Sequence, residues 1–207
     1  MGSGKKIILF DFDGVIVNTF DAAFEIIKNN NPELTKADYR SHFEGNIYDA
    51  IKDNDKTYRD EVMNQFFHHY NNRLMEHSLD EPIAEIIKQL SANFLLFIIS
   101  SSSNSGIRNY LHKHHLDTCF IDVFASEAGL SKVEKITSVL HNYQAQPNEC
   151  LFITDTLGDI KEARKASVES IAVTWGYHPI ETLQKGVPYA IVESPQELTG
   201  AIDRYFE

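Results

Sequence analysis

The sequence is short of cysteine, of cationic residues and of long apolar runs, and each shortage removes a class of protein. Only two cysteines, Cys119 and Cys150, occur in 207 residues, and they show no paired spacing. A disulfide framework or a zinc knuckle is therefore not expected, and a reducing compartment, the cytoplasm, is. Nineteen Lys and Arg residues stand against thirty Asp and Glu, a formal net charge of -11. Nucleic-acid binders usually carry a basic excess to displace counterions, so no nucleic-acid partner is expected. The longest apolar runs reach about six residues, against the roughly 20 needed to cross a bilayer, and no secretory h-region precedes them. No membrane association is expected, and nothing in the sequence indicates an oligomeric state. Residues 1–4 read as a cloning remnant. With Lys5 they imitate a phosphate loop, but that loop needs an earlier glycine and a preceding strand.

Short apolar runs alternate with amphipathic stretches through most of the chain. The runs are Ile7 to Phe10, Phe94 to Ile99, Ile121 with Val123-Phe124, Leu151 to Ile153, and Ile171 to Val173. Each is continuous rather than alternating, as in strands covered on both faces of a parallel sheet. Between them Ile83, Ile86, Ile87 and Leu90 follow helical spacing, as do Ile136, Val139, Leu140 and Tyr143. The alternation predicts a doubly wound α/β domain over residues 5–18 and 80–207. Residues 19–79 break the rhythm. They carry no strand-like run, are helix-patterned, and hold a break at Asn29-Asn30-Asn31-Pro32. About 60 residues is too long for a loop in a compact domain, so a small inserted helical domain is expected.

Ligands of open α/β sheets sit beyond the carboxyl ends of the strands, so the residues following each run matter most. After the first run comes Asp11-Phe12-Asp13-Gly14-Val15. A period of two sends Asp11 and Asp13 to one side, where two carboxylates repel unless a cation or a shared proton relieves them. Solvated turn residues would also account for the pair. After the second run, Ser100-Ser101-Ser102-Ser103-Asn104 precedes a helix, which suits either an anion site or an ordinary cap. After the fourth, Asp155 and Asp159 stand about one helical turn apart near a helix start. Capping explains one of them, and a hard cation with oxygen ligands would use both. Lys132 before a further helix is by itself only a surface charge. The histidines at 68, 69, 112, 114 and 115 have no diagnostic metal spacing.

These segments, in this order, resemble the haloacid dehalogenase-like (HAD) hydrolase superfamily from Ile7 to about Leu198. The matching motifs are Asp11-Phe12-Asp13-Gly14-Val15, Ser100 at a strand end, Lys132 at a helix start, and Asp155 with Asp159. The helical insertion is similar to that family's cap domain, and Gly45 in His42-Phe43-Glu44-Gly45-Asn46 resembles the glycine of its substrate-facing loop. Val173-Thr174-Trp175-Gly176-Tyr177 is similar to phosphoglycolate-phosphatase-like members. The resemblance implies a Rossmann-like core with Asp11 as nucleophile and Asp13 as general acid/base. It implies Ser100, Ser101 and Lys132 as phosphate-binding residues, with Lys135 one turn further on as the alternative lysine. Asp11, Asp155 and the backbone carbonyl of Asp13 would ligate Mg²⁺, supported by Asp159. Two positions depart from the family pattern: Thr154 replaces a glycine and Asn18 an aspartate.

A phosphate dianion repels an attacking carboxylate, so Mg²⁺ and Lys132 would have to cancel charge before Asp11 attacked. Asp13 would need a proton to assist the leaving alcohol, and an unperturbed aspartate, with a pKa of about 3.9, rarely holds one at neutral pH. The expected activity is Mg²⁺-dependent hydrolysis of a small phosphorylated metabolite through an aspartyl-phosphate. Two alternatives are a phosphomutase acting on a sugar phosphate and a non-catalytic metal-binding or regulatory module on the same fold. A dehalogenase is disfavoured, because it has no leaving alcohol for Asp13 to protonate.

Overall fold

A computed structural model describes residues 6–46, 56–126 and 129–207, with side chains for all of these except 56–62. The expected cloning remnant lies outside the described residues, as does part of the helical insertion. Six strands form one parallel sheet: β1 (Ile7–Phe10), β2 (Leu95–Ile99), β3 (Asp122–Phe124), β4 (Cys150–Thr154), β5 (Glu169–Val173) and β6 (Ala190–Val192). Their order is β3-β2-β1-β4-β5-β6. The chain therefore reverses its direction of winding beside β1, and a crevice opens between the carboxyl ends of β1 and β4.

The continuous apolar runs follow from burial on both faces. Ile8 and Phe10 join one core cluster while Ile7 and Leu9 join the other, all without solvent exposure. An alternating pattern would have left one face bare. Burying each such side chain contributes roughly 1.5–3 kcal/mol, so the central strands hold the site on the stiffest part of the molecule. In register, Phe10 lies beside Ile98 of β2 and Ile153 of β4. The three strands consequently end level, and the residues after them share one rim. β6 was not expected from the sequence: it has three residues, two only half buried, and no distinctive run.

The helices of the α/β part are α4 (Glu81–Ser91), α5 (Asn104–Lys113), α6 (Lys132–Asn142), α7 (Leu157–Lys165), α8 (Ile180–Gln184) and α9 (Pro195–Phe206). Ile83, Ile86, Ile87 and Leu90 are buried along α4, as their spacing predicts. On α6 the buried stripe holds Ile136 and Val139, while Tyr143 caps the helix and is 42 % exposed. Between β1 and α4 the described elements are helical: α1 (Phe20–Asn30), α2 (Lys36–Ser41), a 3₁₀ turn (His42–Glu44) and α3 (Lys56–Leu74). α1 ends at the asparagine cluster that marked a break. Thr35 caps α2 and Asp38 reciprocates in a capping box, which fixes where the chain re-enters helix. Phe43 packs edge to face on Tyr39 at 5.1 Å and on Tyr177 of the α/β part at 5.0 Å, while Phe66 stacks on Tyr70.

Candidate active site

Asp11 is the first residue beyond β1, and its amide donates to the carbonyl of Ile153, extending the ladder by one bond. Its Oδ1 accepts from the amide of Phe12 at 2.7 Å and its Oδ2 lies 2.8 Å from Lys132 Nζ. Lys132 is the first residue of α6, where Ser131 caps the helix. The same ammonium donates to Oδ2 of Asp159 at 2.6 Å. Asp159 lies in the first turn of α7, behind the Thr156 cap, and also accepts from the Thr154 hydroxyl at 2.7 Å. Thr154, one of the departures from the family pattern, therefore tethers the second carboxylate. The other departure, Asn18, donates to the Trp175 carbonyl at 3.2 Å.

Asp155 is fully buried between β4 and α7. Oδ2 accepts from the amide of Tyr177 at 2.7 Å, but Oδ1 has no hydrogen-bond partner. Two glycines make room for this carboxylate. A Cβ on Gly14 would stand 1.9 Å from Asp155 Oδ2, and one on Gly176 would stand 2.3 Å from it. Gly14 also has φ +77°, a left-handed turn that costs other residues energy. The Val173–Tyr177 segment is thus the clamp on Asp155, and Trp175 Nε1 ties it to the Val15 carbonyl at 3.1 Å.

Oxygens of Asp11, Asp155 and Asp159 all lie within 4.8 Å of one another. Burial pushes Asp11 well up, more than the Lys132 charge pulls it down. Burial likewise pushes Asp155 up to about 8, against the Tyr177 amide. Burial also acts on Asp159, but Lys132 and its hydrogen bonds outweigh it and hold this carboxyl below the usual range. One ammonium thus pairs with Asp159 and with one oxygen of Asp11, and does not contact Asp155. An orphaned, buried carboxylate oxygen beside two further carboxylates is a donor set that suits a hard divalent cation.

The cavity above these groups measures about 100 Å³ and is lined by Asp11, Asp13, Ser101, Ser102, Lys132 and Asp159 at its base. Asp13 accepts three hydroxyl donors: Tyr70 and Thr19 on Oδ1, the latter at 2.7 Å, and Ser102 on Oδ2 at 2.5 Å. Ser101 lines the cavity, as does Gly45. Ser100 is fully buried instead: its Oγ accepts from the Ser102 amide and its carbonyl from Lys135 Nζ at 2.7 Å. Of the two lysines, Lys132 is the one lining the cavity, and Lys135 braces the strand end behind it.

Tyr70, Thr19, Ser102, Glu162 and the aromatic walls were not singled out from the sequence. A partial signal existed in the spacing of Met63, Phe66, Phe67 and Tyr70, one stripe of α3 that lines the cavity. Thr19, just before α1, and Glu162, on α7, carried none, because polar residues at helix starts and along helices look alike until packing places them.

A doubly wound parallel sheet with a buried carboxylate cluster and a lysine at the β1/β4 crevice defines a class of α/β enzyme. The chain belongs to the haloacid dehalogenase-like hydrolase family, whose model matches residues 8–173. It is 24% identical over 203 residues to phosphoglycolate phosphatase of Synechococcus elongatus, covering 94% of this chain and 96% of that protein. It is 22% identical over 211 residues to pyrophosphatase PpaX of Bacillus mycoides, covering 95% and 96%. A predicted phosphatase from Clostridium acetobutylicum has a similar structure, with a TM-score of 0.81 at 20% identity and coverage of 98% and 100%. Among the described residues no helix is long and apolar enough to cross a membrane.

Proposed function

We propose that the protein is a phosphatase that hydrolyses a small phosphate monoester through an aspartyl-phosphate on Asp11. The observation that carries this is the convergence of Asp11, Asp13 and Lys132 on one cavity, with Asp155 and Asp159 behind Asp11. Relatives named phosphoglycolate phosphatase and pyrophosphatase support the reaction class.

Asp11, Asp155 and the Asp13 backbone carbonyl would hold Mg²⁺, with Asp159 supporting them. Bound there, the cation would supply Lewis-acid stabilisation of phosphoryl charge and keep Asp11 ionised. Asp11 attacks phosphorus while the ester oxygen departs with a proton from Asp13. Asp13, now ionised, takes a proton from water, whose oxygen attacks phosphorus and releases inorganic phosphate and free Asp11. Lys132 turns one N–H toward the phosphoryl oxygens while holding Asp11 and Asp159. Ser101 offers a hydroxyl to the phosphate, and Ser100 acts indirectly, by shaping the strand end through Ser102 and Lys135. Residues 19–79 act as a cap over the core, with Tyr39, Gly45, Phe66 and Tyr70 contributing its side of the cavity. Cap closure excludes water from the site.

The test is phosphate release from a monoester panel with and without Mg²⁺, combined with borohydride reduction during turnover. Reduction should convert position 11 to homoserine, detected by peptide mass, and Asp11→Asn should be folded and inactive. Turnover by Asp11→Asn near the wild-type rate would overturn the assignment.

A further inference from the structure

We infer that Glu162 is a positioning residue: through one carboxylate oxygen it fixes the backbone of Lys132 and joins it to Asn46, so the aim of that lysine depends on how residues 43–46 dock. The inference rests on the proposed phosphatase chemistry, in which Lys132 holds the phosphoryl group, and deepens it by naming what places Lys132.

Glu162 is a buried carboxyl group, 6 % exposed, to which the proposed reaction gives no task. It follows Asp159 on α7 at i+3, so the two acids share one helix face. They grip opposite ends of the same residue. Asp159 Oδ2 accepts from the Lys132 ammonium at 2.6 Å, and Glu162 Oε1 accepts from the Lys132 backbone amide at 3.2 Å. That amide opens α6 and has no partner within its own helix, so its acceptor must come from elsewhere. An acid there also faces the positive end of the helix. With backbone and ammonium both anchored on α7, the flexible stem between them has little rotamer freedom left.

The same Oε1 accepts from Asn46 Nδ2 at 3.0 Å, and this bond is not isolated. Lys161 Nζ donates to the Glu44 carbonyl at 2.8 Å. Gly158 lets the two backbones approach: a Cβ there would stand 2.8 Å from the Phe43 carbonyl oxygen and closer still to that of Gly45. Gly158, Lys161 and Glu162 are spaced i, i+3, i+4, so one face of α7 receives residues 43–46. Of these contacts, the Asn46 bond is the one ending on an atom that also holds Lys132. Gly45, the neighbour of Asn46, lines the cavity together with Lys132. The loop on one side of the cavity and the lysine on the other therefore share a single acceptor.

Inorganic phosphate is the probe, because its binding in saturating Mg²⁺ requires no turnover. By isothermal titration calorimetry, well below the melting temperature, Glu162→Met should weaken phosphate binding at least ~10-fold, the scale of a lost charge-assisted hydrogen bond. Glu162→Gln keeps an acceptor at the same place and should restore affinity to within ~3-fold of the wild type. Asn46→Ala should weaken binding by itself and hardly further in the Glu162→Met background, since both act through one oxygen. A role confined to stability would lower the melting temperature of Glu162→Met and leave its phosphate affinity untouched. That result overturns the inference and leaves the phosphatase reading standing, as do effects of the two variants that simply multiply. Where Glu162→Met fails to fold, Asn46→Ala decides alone, and wild-type phosphate affinity there overturns the inference. A wild type that binds no phosphate and turns over no ester overturns both readings.

Discussion

The hydroxyl of Tyr70 donates to Oδ1 of Asp13, joining α3 to the loop that follows β1 across 57 positions of sequence. Tyr70 is 2 % exposed, and burial, followed by the Asp13 charge, pushes its phenol well above the ordinary value. The phenol therefore stays protonated and donates to Asp13. Since Thr19 and Ser102 fill the remaining directions around the carboxylate, Asp13 is held in one orientation by groups from three separate elements. The position of the proposed acid/base thus depends on the position of α3.

Tyr70→Phe removes the donor and keeps the ring. Loss of a hydrogen bond to the half-buried Asp13 carboxylate should cost roughly 1.5–3 kcal/mol of stability. If Tyr70 positions Asp13, the kinetic loss should track leaving-group demand. An alkyl phosphate should slow by at least ~10-fold, and a nitrophenyl phosphate, which needs little protonation, far less. Equal slowing of both esters would leave Tyr70 a purely structural role.

The strand ends were readable because their surroundings leave few choices. β1 and β4 are buried along their whole lengths, so their apolar runs stand out and whatever follows them must face the rim. Asp11, Asp155 and Asp159 came into view for this reason, and the level register of β1 and β4 brings them together. The contribution of α3 was not readable. Tyr70 and Phe66 are apolar-stripe residues by spacing, and only the docking of α3 against the sheet turns one of them toward a carboxylate. Ser100 illustrates the same limit. Four consecutive serines look equivalent in sequence, whereas the turn after β2 sends Ser100 inward and Ser101 and Ser102 to the cavity.

Asp155 bears an unpartnered buried oxygen, so the metal-free protein carries an uncompensated cost there. Asp155→Asn should raise the metal-free melting temperature, because a neutral amide avoids the cost of burying the carboxylate or, below its raised pKa of about 8, of first protonating it. It should also abolish the rise in melting temperature that Mg²⁺ gives the wild type, which follows RT ln(1 + [L]/Kd) for a ligand binding only the folded state. Thermal unfolding of both proteins across a Mg²⁺ titration checks this. A variant stabilised by Mg²⁺ as strongly as the wild type would show that the ion binds elsewhere.

Lys132 is the common partner of two buried carboxylates. Lys132→Met preserves much of the stem volume but leaves Asp11 and Asp159 facing one another. Removing one partner from a buried ion pair typically costs about 3–5 kcal/mol, and urea denaturation of the metal-free variant should show a loss of that order. Part of it should return with Mg²⁺, whereas turnover should not. A loss below ~1 kcal/mol would mean that Lys132 is not what holds the two carboxylates together.

His178 gives the fold a pH dependence of definite sign. It is 2 % exposed, and its Nδ1 accepts from the Leu157 amide at 2.9 Å. The other nitrogen, Nε2, therefore carries the hydrogen and donates to the Arg40 carbonyl at 2.9 Å. Both nitrogens are satisfied only in the neutral ring, which links α2 to the start of α7. A second proton would set N–H against N–H at Leu157. Burial lowers the histidine's pKa, and although the Arg40 carbonyl and the Glu44 and Asp159 charges oppose it, the net shift is downward. The unfolded chain then binds a proton at about pH 6.5 that the folded chain refuses. The stabilising contribution is present above that value and is lost as pH falls toward the lowered folded-state pKa, at up to ~1.4 kcal/mol per pH unit. His178→Gln keeps one acceptor and one donor without the titration. Its unfolding free energy should therefore fall less steeply than the wild type's between pH 7 and about 5.5, a window set by the ordinary histidine value. Parallel pH profiles for the two proteins would show that His178 is not the group responsible.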